Sequence, residues 1–176
     1  MPLLLGLLLV ALPCAASAAE PETGNISGTV TDEGSNPLVE VEVCAEAVDK
    51  TRFKCDLTWH NGAFEITNLP VGSYKVGFWD EAGNFVTQFW EHGLVWNEAT
   101  PVSVTAGGTA TVIAALQRGA KIQGVVTAAA TGLPVGGVEA CASAGELERC
   151  ATTNAEGAYT IDGLASGNRG SSISTR

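Results

Sequence analysis

The chain has 176 residues, with 19 Asp and Glu against 9 Lys and Arg and a net charge of −10. That balance repels nucleic acid and anionic membrane surfaces, so neither is expected as a partner, and the length suits one domain or two small ones. Beyond the first twenty residues no segment is apolar enough to cross a membrane as a helix, so no transmembrane segment is expected.

Residues 1–19, MPLLLGLLLVALPCAASAA, carry no charged side chain, and the apolar run from Leu3 to Leu12 is too short to span a bilayer. Ala16, Ser17, Ala18 and Ala19 follow with the small side chains of a cleavage site. The segment is read as a secretory signal peptide, removed after Ala18 or Ala19, so the rest is expected to be secreted or at the cell surface. Pro13 stands where a lipoprotein signal needs a small residue, which argues against lipid on Cys14.

From Ile26 to Arg118, short β-type runs follow one another: NISGTVT, LVEVEVCAEAV, TRFKCDL, GAFEITNL, SYKVGFW, FVTQFW, PVSVT and TATVIAAL. Turn residues separate them, among them Asp32 to Pro37, Asn61-Gly62, Pro70 to Gly72, Glu81 to Asn84 and Ala106 to Gly108. No run shows a helical period, so the expectation is an all-β sandwich. Alternation in the second run places Val39, Val41, Val43 and Ala45 on a buried face and Glu40, Glu42, Cys44 and Glu46 on the opposite one. If Cys55 also points outward, a regular strand sends Phe53 and Leu57 out with it, which a bulge or a loop beginning near Cys55 would avoid. Lys50, Arg52 and Lys54 alternate in the same segment and are expected to offset Glu40, Glu42 and Glu46 across the hairpin.

At Ile122 the chain begins to repeat itself. IQGVVTAAATGLPVGGVEACA echoes ISGTVTDEGSNPLVEVEVCAE, with Ile122, Gly124, Val126, Pro134 and Cys141 standing for Ile26, Gly28, Val30, Pro37 and Cys44. Agreement runs on through Asn154, Gly157, Tyr159, Ile161, Leu164 and Gly167 and then stops, so counterparts of SYKVGFW and the later strands are expected to be missing. The expected division is residues 25–119 as one sandwich and residues 120–176 as a truncated, loosely ordered copy. Each copy holds one cysteine pair, and the repeated spacing favours Cys44 with Cys55 and Cys141 with Cys150. Zinc is the rival use of such pairs. It needs tighter spacing or histidines at fixed offsets, and His60 and His92 are not repeated. Export to an oxidising compartment then favours disulfides.

The frame GTVTD, NPLVEVEVCAEA and NGAFEITNLPVGSYKVGF resembles the carboxypeptidase regulatory-like domain, over residues 25 to about 167. The resemblance implies tandem transthyretin-like Greek-key β-sandwich modules, akin to starch-binding-like folds and found in surface proteins and beside secreted hydrolases. It also implies no zinc site in the module. Related adhesin repeats carry a Lys-to-Asn isopeptide bond, but the first strand here, Asn25 to Asp32, has no Lys, so disulfides are the expected covalent staple.

No catalytic residue, metal or cofactor is expected: His60 and His92 stand alone, with no nucleophile at a motif spacing. Aromatic residues carry the other signal. FWDEAGNFVTQFWEHGLVW holds six large rings, and adjacent pairs such as Phe78-Trp79 and Phe89-Trp90 must send one ring inward and one outward. Trp79, Trp90 and Trp96 are therefore the candidate carbohydrate-binding platforms, set against a structural role as a second aromatic layer. Asn25-Ile26-Ser27 fits a glycosylation sequon, read as accidental in a chain that resembles bacterial tandem modules. Two functions stand together at this point: a non-catalytic interaction or spacer protein with an extracellular polysaccharide or surface protein as partner, or a carbohydrate-binding appendage of a secreted glycoside hydrolase such as an amylase. A third makes the chain the start of a longer secreted hydrolase.

Overall fold

The structure, a computed structural model, describes residues 22–144, 147–166 and 172–175. The expected signal peptide and Cys14 lie outside the described residues. Each of the eight β runs forms a strand: β1 (Thr23–Asp32), β2 (Glu42–Ala47), β3 (Phe53–Leu57), β4 (Ala63–Pro70), β5 (Gly72–Trp79), β6 (Gln88–Phe89), β7 (Val102–Val104) and β8 (Thr109–Leu116). One sheet runs β4-β1-β8, with β8 parallel to β1; the other runs β3-β2-β5, and both β6 and β7 pair with the far edge of β5. Between the sheets lie Ile26, Val30, Phe64, Ile66, Val112 and Leu116 from the first and Val43, Ala45, Tyr74, Val76 and Phe78 from the second, all buried. The Phe64 and Phe78 rings meet edge to face with centroids 6.5 Å apart, the arrangement favoured by the ring quadrupole.

Alternation in β2 holds from Val41 onward but not before it. Val39 is 52% exposed, because Glu40 adopts a left-handed backbone (φ 60), which turns the chain and resets which face each side chain takes. The Thr58 hydroxyl and carbonyl then accept the Val41 and Glu40 N–H groups, so the kinked segment keeps its hydrogen bonds. The expected cation–glutamate pairing across the hairpin is replaced by another arrangement. Lys54 lies opposite core-facing Ala45 and donates to the Thr67 carbonyl (2.7 Å), while Asp56 Oδ2 accepts the Glu65 N–H (2.9 Å). These inward-pointing charges satisfy the free edge of β4 and close that side of the sandwich against further strand pairing.

After β8 come β9 (Ala120–Val125), β10 (Glu139–Ala144), β11 (Leu147–Thr152), β12 (Ala158–Leu164) and β13 (Ser172–Thr175). β9 pairs with β12, and β10 pairs with both β11 and β13. Many contacts of the first sandwich recur here. Ile122 opposes Ile161 as Ile26 opposes Ile66, and Thr127 bridges Pro134 as Thr31 bridges Pro37. The Thr153 hydroxyl accepts the Val138 N–H as the Thr58 hydroxyl accepts that of Val41. Gly62 and Gly157 both have positive φ, and a Cβ on either would lie about 2.5 Å from a main-chain carbonyl, Val30 O of β1 (2.5 Å) or Val126 O just past β9 (2.4 Å). The expectation that a counterpart of SYKVGFW is missing is corrected. β13 pairs with β10 through Cys141 and Ser174, the place that β5 takes beside β2 through Cys44 and Gly77. Main-chain groups alone make such a ladder, so four residues suffice without any resemblance in side chains.

Candidate aromatic face

Both cysteine pairs are disulfides, Cys44–Cys55 and Cys141–Cys150, each between directly opposed residues of an antiparallel pair with Cα atoms 4.0 and 4.1 Å apart. Glu42 and Glu139 stand near these sulfurs, but oxidised sulfur is not the thiolate that a metal requires. At the turn of the first hairpin, the Thr51 hydroxyl and N–H donate to Asp49 and hold its carboxyl below the usual range.

The Cys44–Cys55 disulfide lies on the outer face of the second sheet, as alternation requires. No bulge intervenes in β3. The ladder is regular from Glu42 with Leu57 to Glu46 with Phe53, and Phe53 (64% exposed) and Leu57 (51%) simply face solvent. Even so, Cys44 is only 2% exposed, because rings from β5 and beyond cover it. The outer face of β5 reads Lys75, Gly77, Trp79, and Phe89 of β6 lies opposite Gly77. A Cβ on Gly77 would come within 2.3 Å of the Trp79 ring and 3.0 Å of Phe89. Glycine there is what lets the indole fold back across the sheet. Trp79 and Phe89 then meet edge to face at 5.8 Å, and Phe89 and Trp96 at 6.0 Å.

Trp96 opens a 3-10 turn, Trp96–Glu98, after β6. Lys75 Nζ donates to its carbonyl (2.7 Å) and stands 4.9 Å from its ring centroid, with Lys50 Nζ at 5.6 Å. These are cation–π distances, so Trp96 is held by charge as well as by Phe89. Two shallow grooves of ≈ 220 and ≈ 210 Å³ share Cys44, Phe53 and Trp79; the first extends to Trp96 and Lys50, the second to Glu42, Asp80 and Arg149. The result is an aromatic floor with cations at one end and mixed charges at the other, a surface that can stack on a flat apolar ring and hydrogen-bond polar groups at its rim.

Of the three candidate tryptophans, Trp79 and Trp96 are brought together through Phe89. Trp90 is turned to the other side, packed against the core and beside Phe78, Ile113 and Leu116. Phe89, its neighbour, is the ring that faces out. Phe53, Phe89, Lys50 and Lys75 were not among the candidate residues, although the position of Phe53 two residues before Cys55 already placed it on this face. His60 is exposed. Among the described residues, no helix is long and apolar enough to cross a membrane.

Chitinase ChiA of Flavobacterium johnsoniae is 30% identical over 150 residues, which is 84% of this chain but 8% of that protein. The chain thus spans about a twelfth of the curated relative it matches. Among solved structures, the Bacillus anthracis TIE protein is similar at 15% identity and a TM-score of 0.45, covering 87% of this chain and 31% of that one. A streptococcal ancillary pilin is similar at 13% identity and a TM-score of 0.43, covering 90% and 60%. The family model of the carboxypeptidase regulatory-like domain matches residues 25–117, which runs from β1 to just past β8. With its two-sheet core and more than half of its length accounted for by that match, the chain belongs to the family of carboxypeptidase regulatory-like domains.

Proposed function

We propose that the chain is an exported, non-catalytic spacer and interaction module made of two copies of one sandwich, residues 25–119 and 120–176, the second incomplete. The observation that carries this reading is the way the connection between them is held. Gln117 O accepts the Val86 N–H (2.9 Å), Asn84 O accepts the Gly119 N–H (2.8 Å), and Gln88 Oε1 accepts the Gln117 N–H (2.7 Å). Arg118 stands over the Phe85 ring at 5.4 Å. Across the junction the Arg149 guanidinium donates to the Thr87 hydroxyl. Gly119 packs so closely on Gly163 that a Cβ would lie 2.6 Å from its Cα. A linker whose backbone is bonded into the first sandwich transmits orientation, which is what a spacer needs and what a flexible tether lacks. Residual dipolar couplings of the mature protein are expected to fit a single alignment tensor for residues 23–116 and 120–164. In Gly119→Val the two segments are expected to need separate tensors. Two tensors in the unaltered protein would remove the basis for this reading.

A second reading, a carbohydrate-binding appendage of a secreted glycoside hydrolase, is favoured by the open part of the aromatic face and supported by the similarity to chitinase ChiA. Phe53 is the most exposed ring there, while Trp96 already has cations over its indole. Sugar stacking therefore falls to Phe53 and Trp79 rather than to Trp90. Retention on insoluble chitin, glucan or xylan is expected to fall about tenfold or more in Phe53→Ala and Trp79→Ala, a loss of about 1.4 kcal/mol per tenfold. It should be unchanged in Leu133→Ala, at an exposed site in residues 120–176. No retention of the unaltered protein on any of the three would end this second reading and leave the spacer reading standing.

A further inference from the structure

On the outer face of the second sheet, side chains of β3, β2 and β5 stand in rows fixed by the ladder. One row reads Leu57, Glu42, Trp79 and another reads Phe53, Glu46, Lys75. The two carboxylates therefore have different neighbours. Glu46 stands opposite a cation, whereas Glu42 has an aliphatic side chain on one side and an indole on the other. The three cations of the hairpin are all drawn elsewhere: Lys54 to the Thr67 carbonyl, Lys50 over the Trp96 ring, and Arg52 beside Asp49 and Tyr74. Neither Glu42 nor Glu81 makes a side-chain hydrogen bond or ion pair among the described residues. The two shallow grooves that share Phe53 and Trp79 thus have a common floor and opposite charge. The groove of ≈ 220 Å³ sets Glu46 against Lys50 and Lys75. That of ≈ 210 Å³ sets Glu42, Asp80 and Glu81 against Arg149 alone, whose guanidinium is turned to the Thr87 hydroxyl. Asp80 already accepts the N–H groups of Ala82, Asn84 and Phe85, so Glu42 and Glu81 are the acceptors left open in this acidic groove.

We propose that the acidic groove is a subsite for an amino sugar, taking a pyranose ring that carries a free, protonated amine, as in a polysaccharide whose amino groups are not acylated. This assignment rests on the carbohydrate reading of the aromatic face and names the chemistry of the sugar. The apolar face of the ring stacks on Trp79 and Phe53. Its ammonium reaches the Glu42 carboxylate beside the indole, where carboxylate and ring attract a cation together. Glu81 at the rim accepts a further donor of the sugar. A neutral sugar stacks on the same rings but gives the two carboxylates only hydroxyl partners, which are weaker than an ammonium. An anionic sugar is repelled at this end, in keeping with the net charge of −10.

The test titrates the mature protein with the disaccharide of glucosamine, at a pH where its amines are charged, and follows the Trp79 indole N–H by NMR. The glucosamine disaccharide is expected to bind about tenfold or more tighter than the disaccharide of N-acetylglucosamine, and likewise tighter than dilysine, which offers ammonium groups without a ring to stack. Glu42→Gln with Glu81→Gln should erase the preference for the free amine and leave binding of the N-acetylated disaccharide nearly unchanged, since Phe53 and Trp79 are untouched. Glu33→Gln with Glu156→Gln makes the same change in net charge at exposed sites outside the groove and should keep the preference. Equal affinity for the two disaccharides, or loss of the preference in the Glu33 and Glu156 pair, would overturn amine recognition and leave the carbohydrate reading standing. Dilysine binding as tightly as the glucosamine disaccharide would overturn it as well and assign the groove to a cationic peptide. If neither disaccharide shifts Trp79 while the protein is retained on insoluble chitin, glucan or xylan through Phe53 and Trp79, the amine subsite alone falls. If there is no retention either, the carbohydrate reading falls with it.

Discussion

Replacing Cys44 and Cys55 together by alanine is expected to lower the unfolding free energy of the first sandwich by on the order of 3 kcal/mol, the loop-closure entropy of a cross-link spanning about a dozen residues. The two cysteines are 11 residues apart and sit opposite each other in the β2–β3 ladder. The bond acts mainly on the unfolded chain, but its place adds a native contribution, because Cys44 is buried under the Trp79 and Phe89 rings. Alanine there leaves part of that layer without support. Urea unfolding followed by tryptophan fluorescence checks the expectation, since all four tryptophans lie between Trp59 and Trp96. The same change at Cys141 and Cys150, 9 residues apart, should leave that transition nearly unmoved and act only on exchange rates in β10 and β11. A loss below about 1 kcal/mol at Cys44 and Cys55 would mean that the hairpin is held by its ladder alone.

Phe64→Ala is expected to cost about 3–5 kcal/mol, as large-to-small changes of buried aromatics do. Phe64 is 1% exposed, belongs to β4, and meets Phe78 of the facing sheet. Its loss opens a cavity between the two sheets at the point where they are joined by rings. Phe53→Ala makes the opposite case. That ring projects from β3 into solvent, so its removal should change stability by no more than about 0.5 kcal/mol while weakening whatever the aromatic face binds. Equilibrium unfolding of the two variants separates the roles of the two rings. A loss at Phe53 comparable with that at Phe64 would show that the outer layer is structural and would remove the basis for a binding surface there.

The existence and order of the strands were legible in the sequence because both cues are local. Period-two alternation separates the faces of a strand, and glycine, asparagine and proline mark where it must end. The cysteine pairs were legible for a related reason. Spacing that recurs in two copies places each pair across a single hairpin, and the folded chain pairs Cys44 with Cys55 and Cys141 with Cys150. Alternation, however, states only that neighbours face opposite ways. It does not state which face is covered. That is why Val39 belongs outside once Glu40 turns the backbone, and why Trp90, not Phe89, packs inward. It is also why Cys44 is on the outer face and nonetheless buried.

Contacts between distant residues were decided by tertiary structure alone. The sequence by itself determined an all-β chain, its hairpins, its internal echo and its family resemblance, all of which follow from residue type and short-range spacing. Only the folded chain decided that β8 lies parallel to β1, that Lys54 and Asp56 close the edge of β4, that Phe89 joins Trp79 to Trp96, and that β13 pairs with β10. Main-chain hydrogen bonds make these pairings largely indifferent to side-chain identity, and the partners are separated by up to some eighty residues. Such contacts leave no periodic trace in the sequence, so the aromatic face becomes visible only once the sheets are assembled.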